Sequence, residues 1–135
     1  MKKLAKDQKR IEFRQTVEEL SGERIRVCYQ CGECSGGCPG STEMDLQPNQ
    51  IMHKIQLGDS SILDSKTIWI CSACYVCSFR CPKGIDIAKV MDSLRELALR
   101  DKDREPYVTL EKLSDEELEE LPQIALISSF RKQTS

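Results

Sequence analysis

Cys28-Tyr29-Gln30-Cys31-Gly32-Glu33-Cys34-Ser35-Gly36-Gly37-Cys38-Pro39 is matched, 43 positions later, by Cys71-Ser72-Ala73-Cys74-Tyr75-Val76-Cys77-Ser78-Phe79-Arg80-Cys81-Pro82. Both stretches read C-x2-C-x2-C-x3-C-P, and together they hold all eight cysteines of the 135-residue chain. Thiols at i, i+3 and i+6 lie on one tight loop or helical turn and grip an object from one side. The fourth, at i+10, is carried away by the proline after it, which fixes φ and offers no N–H. Gly32, Gly36 and Gly37 in the first run, and Ser72, Ala73 and Ser78 in the second, are small enough to let backbone approach that object closely.

This is the ligand spacing of cubane [4Fe–4S] clusters in two-cluster ferredoxins, where the fourth cysteine ligates the other cluster. It predicts that Cys28, Cys31, Cys34 and Cys81 hold one [4Fe–4S] cluster, and that Cys71, Cys74, Cys77 and Cys38 hold a second. Structural zinc would use two cysteines per knuckle, whereas each run here has four and ends in proline. A disulfide framework belongs to an oxidising compartment, and residues 1–10 are polar with no apolar stretch behind them, unlike a secretory signal. A thioredoxin-like pair would need a single C-x-x-C.

The length suits one domain. Aromatic residues are 5% of the chain and charged residues 31%, so the apolar core is modest. Ligation of two clusters would supply much of the folding energy, and a cluster-free chain is expected to be poorly ordered. The formal charge of −2 falls to roughly −6 once two oxidised, thiolate-bound clusters are counted. Basic residues are scattered among acidic ones, so no nucleic-acid footprint is present. No apolar run approaches the ~20 residues that cross a bilayer. The expected location is cytoplasmic, without direct membrane insertion.

Three segments follow from the chain in order. Residues 1–24 are an N-terminal helical arm, with a helix over 4–20 whose stripe is Phe13, Thr16, Val17 and Leu20, extended by Leu4 and Ile11. It either packs on its own domain or reaches a partner. Residues 25–100 are the two-cluster core. Here Pro48 opens a short helix with Ile51, Met52 and Ile55, ending at Gly58. Residues 60–65 form a turn of helix or a loop, and Ile68-Trp69-Ile70 is an extended or helical lead-in that shields a cluster. Asp86 caps the most regular helix, with Ile87, Val90, Met91, Leu94, Leu97 and Ala98 on one face. Met52 reads as core filler and His53, the single histidine, as a surface residue. Residues 101–135 are a C-terminal helical extension that packs on the core or on a partner. It begins with a charged linker from Arg100 to Pro106. Ser114 and Glu117 then make a capping box for a helix over 115–121, and Pro122 starts a last helix carrying Ile124, Leu126, Ile127 and Phe130. The fold class is therefore mainly α. With 32 residues and a helix between Cys38 and Cys71, the arrangement is that of an alpha-helical ferredoxin domain rather than a compact β-containing one.

The chain resembles the C subunit of heterodisulfide reductase. The resemblance is carried by the two cysteine runs, by Ile68-Trp69-Ile70-Cys71, by Cys81-Pro82-Lys83-Gly84-Ile85-Asp86 and by Leu94-Arg95-Glu96-Leu97-Ala98. The tail Leu121-Pro122-Gln123-Ile124-Ala125-Leu126-Ile127 with Phe130-Arg131-Lys132 is similar too. It implies an anaerobic electron relay of methanogenesis, or of related bacterial complexes. Two [4Fe–4S] clusters would pass single electrons from a flavin-containing subunit, the seat of flavin-based electron bifurcation, to a disulfide-reducing one. The latter carries noncubane clusters, marked by Cys-Cys-Gly motifs, that reduce the disulfide of coenzyme M and coenzyme B. A hydrogenase or formate dehydrogenase module would lie further out. This chain has neither a Cys-Cys-Gly motif nor a glycine-rich dinucleotide fingerprint, so no substrate-converting site of its own is expected. The alternatives are a free soluble ferredoxin, or the iron–sulfur subunit of a succinate dehydrogenase or fumarate reductase relative. For the latter the first 27 residues are too short to form the added plant-type domain.

Overall fold

The computed structural model describes residues 2–100 and 114–134, and the side chains of all of these except 2–6, 117–118 and 129–134. All regular structure among the described residues is helical. The chain divides into two compact units, Met1–Arg95 and Glu96–Ser135.

The first unit opens with helix α1 (Lys2–Ser21). Its C-terminal half packs on α3 (Pro48–Gln56), where Val17 is fully buried and Arg14 Nη1 donates to the Gln56 carbonyl at 3.3 Å. The contact face is narrower than the periodicity suggests. Phe13 and Thr16 are half-buried, but Ile11 and Leu20 remain exposed, and Leu4 lies outside the described side chains. Gly58 sets the approach. It sits at φ +69°, and a Cβ there would lie 2.2 Å from the Arg10 carbonyl oxygen. The missing side chain lets backbone meet backbone.

Pro48 occupies the first turn of α3, and the Gln47 N–H donates to Gln50 Oε1 at 2.8 Å in a capping box. Ile51, Met52 and Ile55 are fully buried beneath it, each burial worth ~2 kcal/mol. His53 is exposed. A 3₁₀ turn at Ser60–Asp64 leads to α4 (Thr67–Ile70), so the Ile68-Trp69-Ile70 lead-in is helical. Asp45 organises this junction. Its carboxylate accepts from Ser65 Oγ, Thr67 Oγ1 and the Lys66 and Thr67 N–H groups. Those donors, Ser65 foremost, hold its carboxyl far below the usual range.

Helix α6 (Ile87–Arg100) is capped by Asp86, whose Oδ1 accepts from the Lys89 N–H at 3.3 Å. Ile87, Val90, Met91, Leu94 and Ala98 are buried as the stripe predicts, with Leu97 half-buried. The second unit contains α7 (Asp115–Glu120) and α8 (Gln123–Thr134). Pro122 lies just before α8, and its carbonyl accepts from the Ala125 N–H. Leu121, Ile124 and Ile127 are exposed. The linker from Asp101 to Pro106 and the side chains of Glu117, Phe130, Arg131 and Lys132 lie outside the described residues.

Candidate metal centres

The two cysteine runs fold alike. A 3₁₀ turn, Ile25–Val27, precedes the first, and α4 precedes the second. The first loop is left-handed at Gln30 (φ 64°) and Gly32 (82°), and the second at Ala73 (52°) and Tyr75 (61°), the positions 43 residues on. Each loop then enters a short helix, α2 (Glu33–Gly36) or α5 (Val76–Arg80), and leaves it through Cys-Pro. A left-handed non-glycine residue costs ~1–2 kcal/mol. Three such residues are held at matched points, which is strain kept for shape.

The equivalence extends beyond the runs, at a spacing of 39 because the connection to α6 is four residues shorter than that to α3. Ser35 Oγ in α2 accepts from the Asn49 N–H, the second residue of α3, at 3.0 Å. Ser78 Oγ in α5 accepts from the Ala88 N–H, the second residue of α6, at 3.3 Å. Two turns later the helices reach back. Gln56 Nε2 donates to the Ile25 and Cys28 carbonyls at 3.1 and 2.8 Å. Arg95 Nε donates to the Ile68 carbonyl at 2.5 Å, and its Nη2 donates to the Cys71 carbonyl. These are the same two carbonyls in each repeat, clamped from the same helix position. The Ile25 carbonyl also accepts from the Cys28 N–H at 3.2 Å, so the clamp adds a second donor there. At the centre, α2 packs on its own counterpart α5, and Arg80 lies against Gly37, the position it replaces in the other repeat. A Cβ on Gly37 would sit 2.7 Å from Arg80 Cδ.

This arrangement gathers the cysteines into two groups. Cys38, Cys71, Cys74 and Cys77 border one pocket, with Met44, Ile70, Ala88 and Met91 around them. Cys28, Cys31, Cys34 and Cys81 border a second, with Gln30, Glu33, Asn49, Ile85 and Ile87. Each group thus takes three thiols from one run and the last thiol of the other. Among the described residues, no three Cys, His, Asp or Glu side chains converge tightly enough to chelate a single ion. Around one zinc, sulfurs would lie ~3.8 Å apart, given Zn–S bonds of ~2.3 Å. Four thiols ringing a cavity fit a polynuclear group instead. Burial pushes the equivalent thiols Cys34 and Cys77 up, and the positive charge of a bound metal would act in the opposite direction. Cys34 is buried, whereas Cys31 and Cys74 are exposed at the outer lip of each loop.

Residue types alone did not single out Gln56, Arg95 or the left-handed Gln30, Ala73 and Tyr75. Gln56 and Arg95 were findable as the ninth residues of two helices that each follow a cysteine run. The backbone conformation at Ala73 and Tyr75 carried no signal, since neither is a glycine or asparagine. Met44, whose Sδ lies 3.9 Å from Cys38 Sγ, likewise sits in a stretch with no periodicity.

The 4Fe–4S dicluster domain family matches residues 27–86, a segment that contains every cysteine. The chain is 39% identical over 74 residues to the C 2 iron–sulfur subunit of the CoB–CoM heterodisulfide reductase of Methanocaldococcus jannaschii, an overlap of 55% of this chain and 40% of that protein. It is 38% identical over 84 residues to the C iron–sulfur subunit of the Methanopyrus kandleri reductase, an overlap of 62% and 44%. It is also 37% identical over 86 residues to the C subunit of the ferredoxin:CoB–CoM heterodisulfide reductase of Methanosarcina acetivorans, an overlap of 64% and 34%. The chain spans between about a third and a half of the length of these relatives. Eight cysteines in two groups of four, within a dicluster domain, fit two [4Fe–4S] clusters and an electron-transfer role. The chain thus carries a match to a 4Fe–4S dicluster domain over residues 27–86 and is similar in sequence to C subunits of heterodisulfide reductases.

Proposed function

We propose that this chain is the cytoplasmic electron-relay subunit of a heterodisulfide reductase or a related complex. Cys28, Cys31, Cys34 and Cys81 hold one [4Fe–4S] cluster, and Cys71, Cys74, Cys77 and Cys38 hold the other. The observation that carries the reading is the exchange of the fourth thiol between two four-cysteine cavities. It keeps two one-electron carriers side by side, which a structural metal would not require. Bound there, such clusters supply reversible one-electron storage. The protein's residues provide ligation, an apolar surround and exposed lips at Cys31 and Cys74, where electrons enter and leave. No bond of a substrate is broken at this chain.

The donor in this reading is a flavin-containing subunit of the same complex, and the acceptor a subunit with Cys-Cys-Gly noncubane clusters. Exposed Ile124 and Ile127 in the C-terminal unit suit a place in such an assembly. Among the described residues no helix is long and apolar enough to cross a membrane. The test is anaerobic purification of the native protein with its stable partners, followed by mass spectrometry and iron analysis. The expected result is about eight irons per chain with a flavoprotein and a Cys-Cys-Gly protein. Eight irons with no partner would make it a free ferredoxin, and a mononuclear metal would overturn the reading altogether.

A further inference from the structure

The two repeats clamp the same pair of carbonyls with chemically different side chains. Gln56 is neutral, and Arg95, always protonated, brings a positive charge against the Cys71 carbonyl. The cavity linings differ in the same sense. Glu33 borders the Cys28 cavity, and its counterpart 43 residues on is Val76. We propose that Arg95, set against Gln56, makes the Cys38/Cys71/Cys74/Cys77 site the higher-potential of the two, so that electrons run towards it from the Cys28/Cys31/Cys34/Cys81 site.

The inference rests on the two-cluster reading above. Reduction adds one negative charge to a site. A fixed cation nearby stabilises the reduced form, and a carboxylate destabilises it. Burial works against the added charge, but both cavities are lined mainly by apolar atoms, so desolvation does not separate them. The neighbouring charges do not cancel the difference. Asp92 pairs with Arg95 Nη1 at 2.8 Å, but its side chain is 59% exposed against 22% for Arg95, so water screens the carboxylate more than the guanidinium. Lys83 lies over the exposed ring of Tyr29, 5.3 Å from its centroid, and is itself exposed, so water screens its charge. The Arg80 guanidinium lies against Gly37, beside Cys38 of the same site as Cys71, so it does not offset Arg95. One electron moves, with no proton and no bond change: the Cys28 site is oxidised by one electron as the Cys71 site is reduced by one.

The experiment is a redox titration of the full iron-loaded chain, followed by EPR, on the wild type, Arg95→Gln, Arg95→Lys and Gln56→Arg. The Cys74→Ser variant marks which signal belongs to the Cys71 site. Arg95→Gln is expected to lower that site's potential by about tenfold in its redox equilibrium, ~59 mV for one electron, and to leave the other unmoved. Arg95→Lys, which keeps the charge, should restore most of the wild-type value. Gln56→Arg should raise the Cys28 site by a similar step. A merely structural clamp would alter stability without moving either potential in step with charge. Two intact signals unmoved by Arg95→Gln and Gln56→Arg, or a wild-type Cys28 site that already reduces first, would overturn the proposal. If Arg95→Gln loses its cluster, Gln56→Arg alone decides. A chain lacking two distinct signals would instead overturn the two-cluster reading on which the proposal stands.

Discussion

Replacing Gln56 by glutamate changes almost no volume and reverses the chemistry of the first clamp. The amide donates to the Ile25 and Cys28 carbonyls. A carboxylate has nothing to donate and sets its own oxygens against both. A carbonyl left without its donor costs ~1–3 kcal/mol when buried. The Ile25 carbonyl keeps the Cys28 N–H at 3.2 Å, and the half-buried Cys28 can take water in exchange, so the sum is ~1.4 kcal/mol. At 1.4 kcal/mol per factor of ten, local opening of the first loop rises by about tenfold. The assay is anaerobic: excess iron chelator is added and the loss of each site's EPR signal is followed. The Cys28 site should empty about tenfold faster than in the wild type, ahead of the Cys71 site, whose Arg95 clamp is untouched. Gln56→Arg, which restores donors to both carbonyls, should hold iron nearly as well as the wild type. Equal chelation rates for Gln56→Glu and wild type, or equal acceleration at both sites, would refute the idea that the clamp holds one loop.

Cys81→Ser should perturb the EPR signal of the site with Cys28, Cys31 and Cys34; damage confined to the Cys71 site would show that each run serves its own cluster. Gly58→Ala should destabilise the protein by ~3 kcal/mol or more, because the new Cβ meets the Arg10 carbonyl oxygen at 2.2 Å and the φ of +69° is strained for alanine; a chemical melt within 1 kcal/mol of wild type would contradict this. Tyr75→Gly should stabilise by ~1 kcal/mol, since glycine adopts φ 61° without strain, and a loss of stability would mean that the half-exposed ring is held by a contact that outweighs the backbone. Asp45 has a folded pKa below its unfolded value of ~3.9, so its stabilisation is complete above that pH and fades as pH falls towards the folded value. Asp45→Asn should therefore lose stability at neutral pH and show a flatter dependence below about pH 4, and an unchanged acid melting profile would contradict that account.

The helical class, the two-cluster content and the principal helices were legible because their signals are local. The cysteine spacing, Pro48 before an apolar period and Asp86 before the stripe of α6 each act within a few residues. What was not legible is what depends on the two halves meeting. Ile11 and Leu20 keep the helical period yet stay in water, because α1 touches α3 along only part of its length. Arg95 reads as an ordinary surface charge of α6 until Ile68 and Cys71 are brought beneath it. Ala73 and Tyr75 sit at positive φ, a conformation their own side chains disfavour and their residue types do not signal.

Packing of α2 on α5, with Arg80 seated on Gly37, is the contact expected at a twofold axis, where an element meets its own copy. A protein half this size, with one cysteine run and one following helix, would present the same surface to a second molecule of itself. The fourth thiol of each copy would cross into the other's site, as in a domain-swapped homodimer. In the present chain the segment between Cys38 and Cys71 ties those halves together. Assembly that would depend on protein concentration becomes intramolecular. Joining the halves also lets them differ, as two identical molecules could not: one clamp here is glutamine and the other arginine.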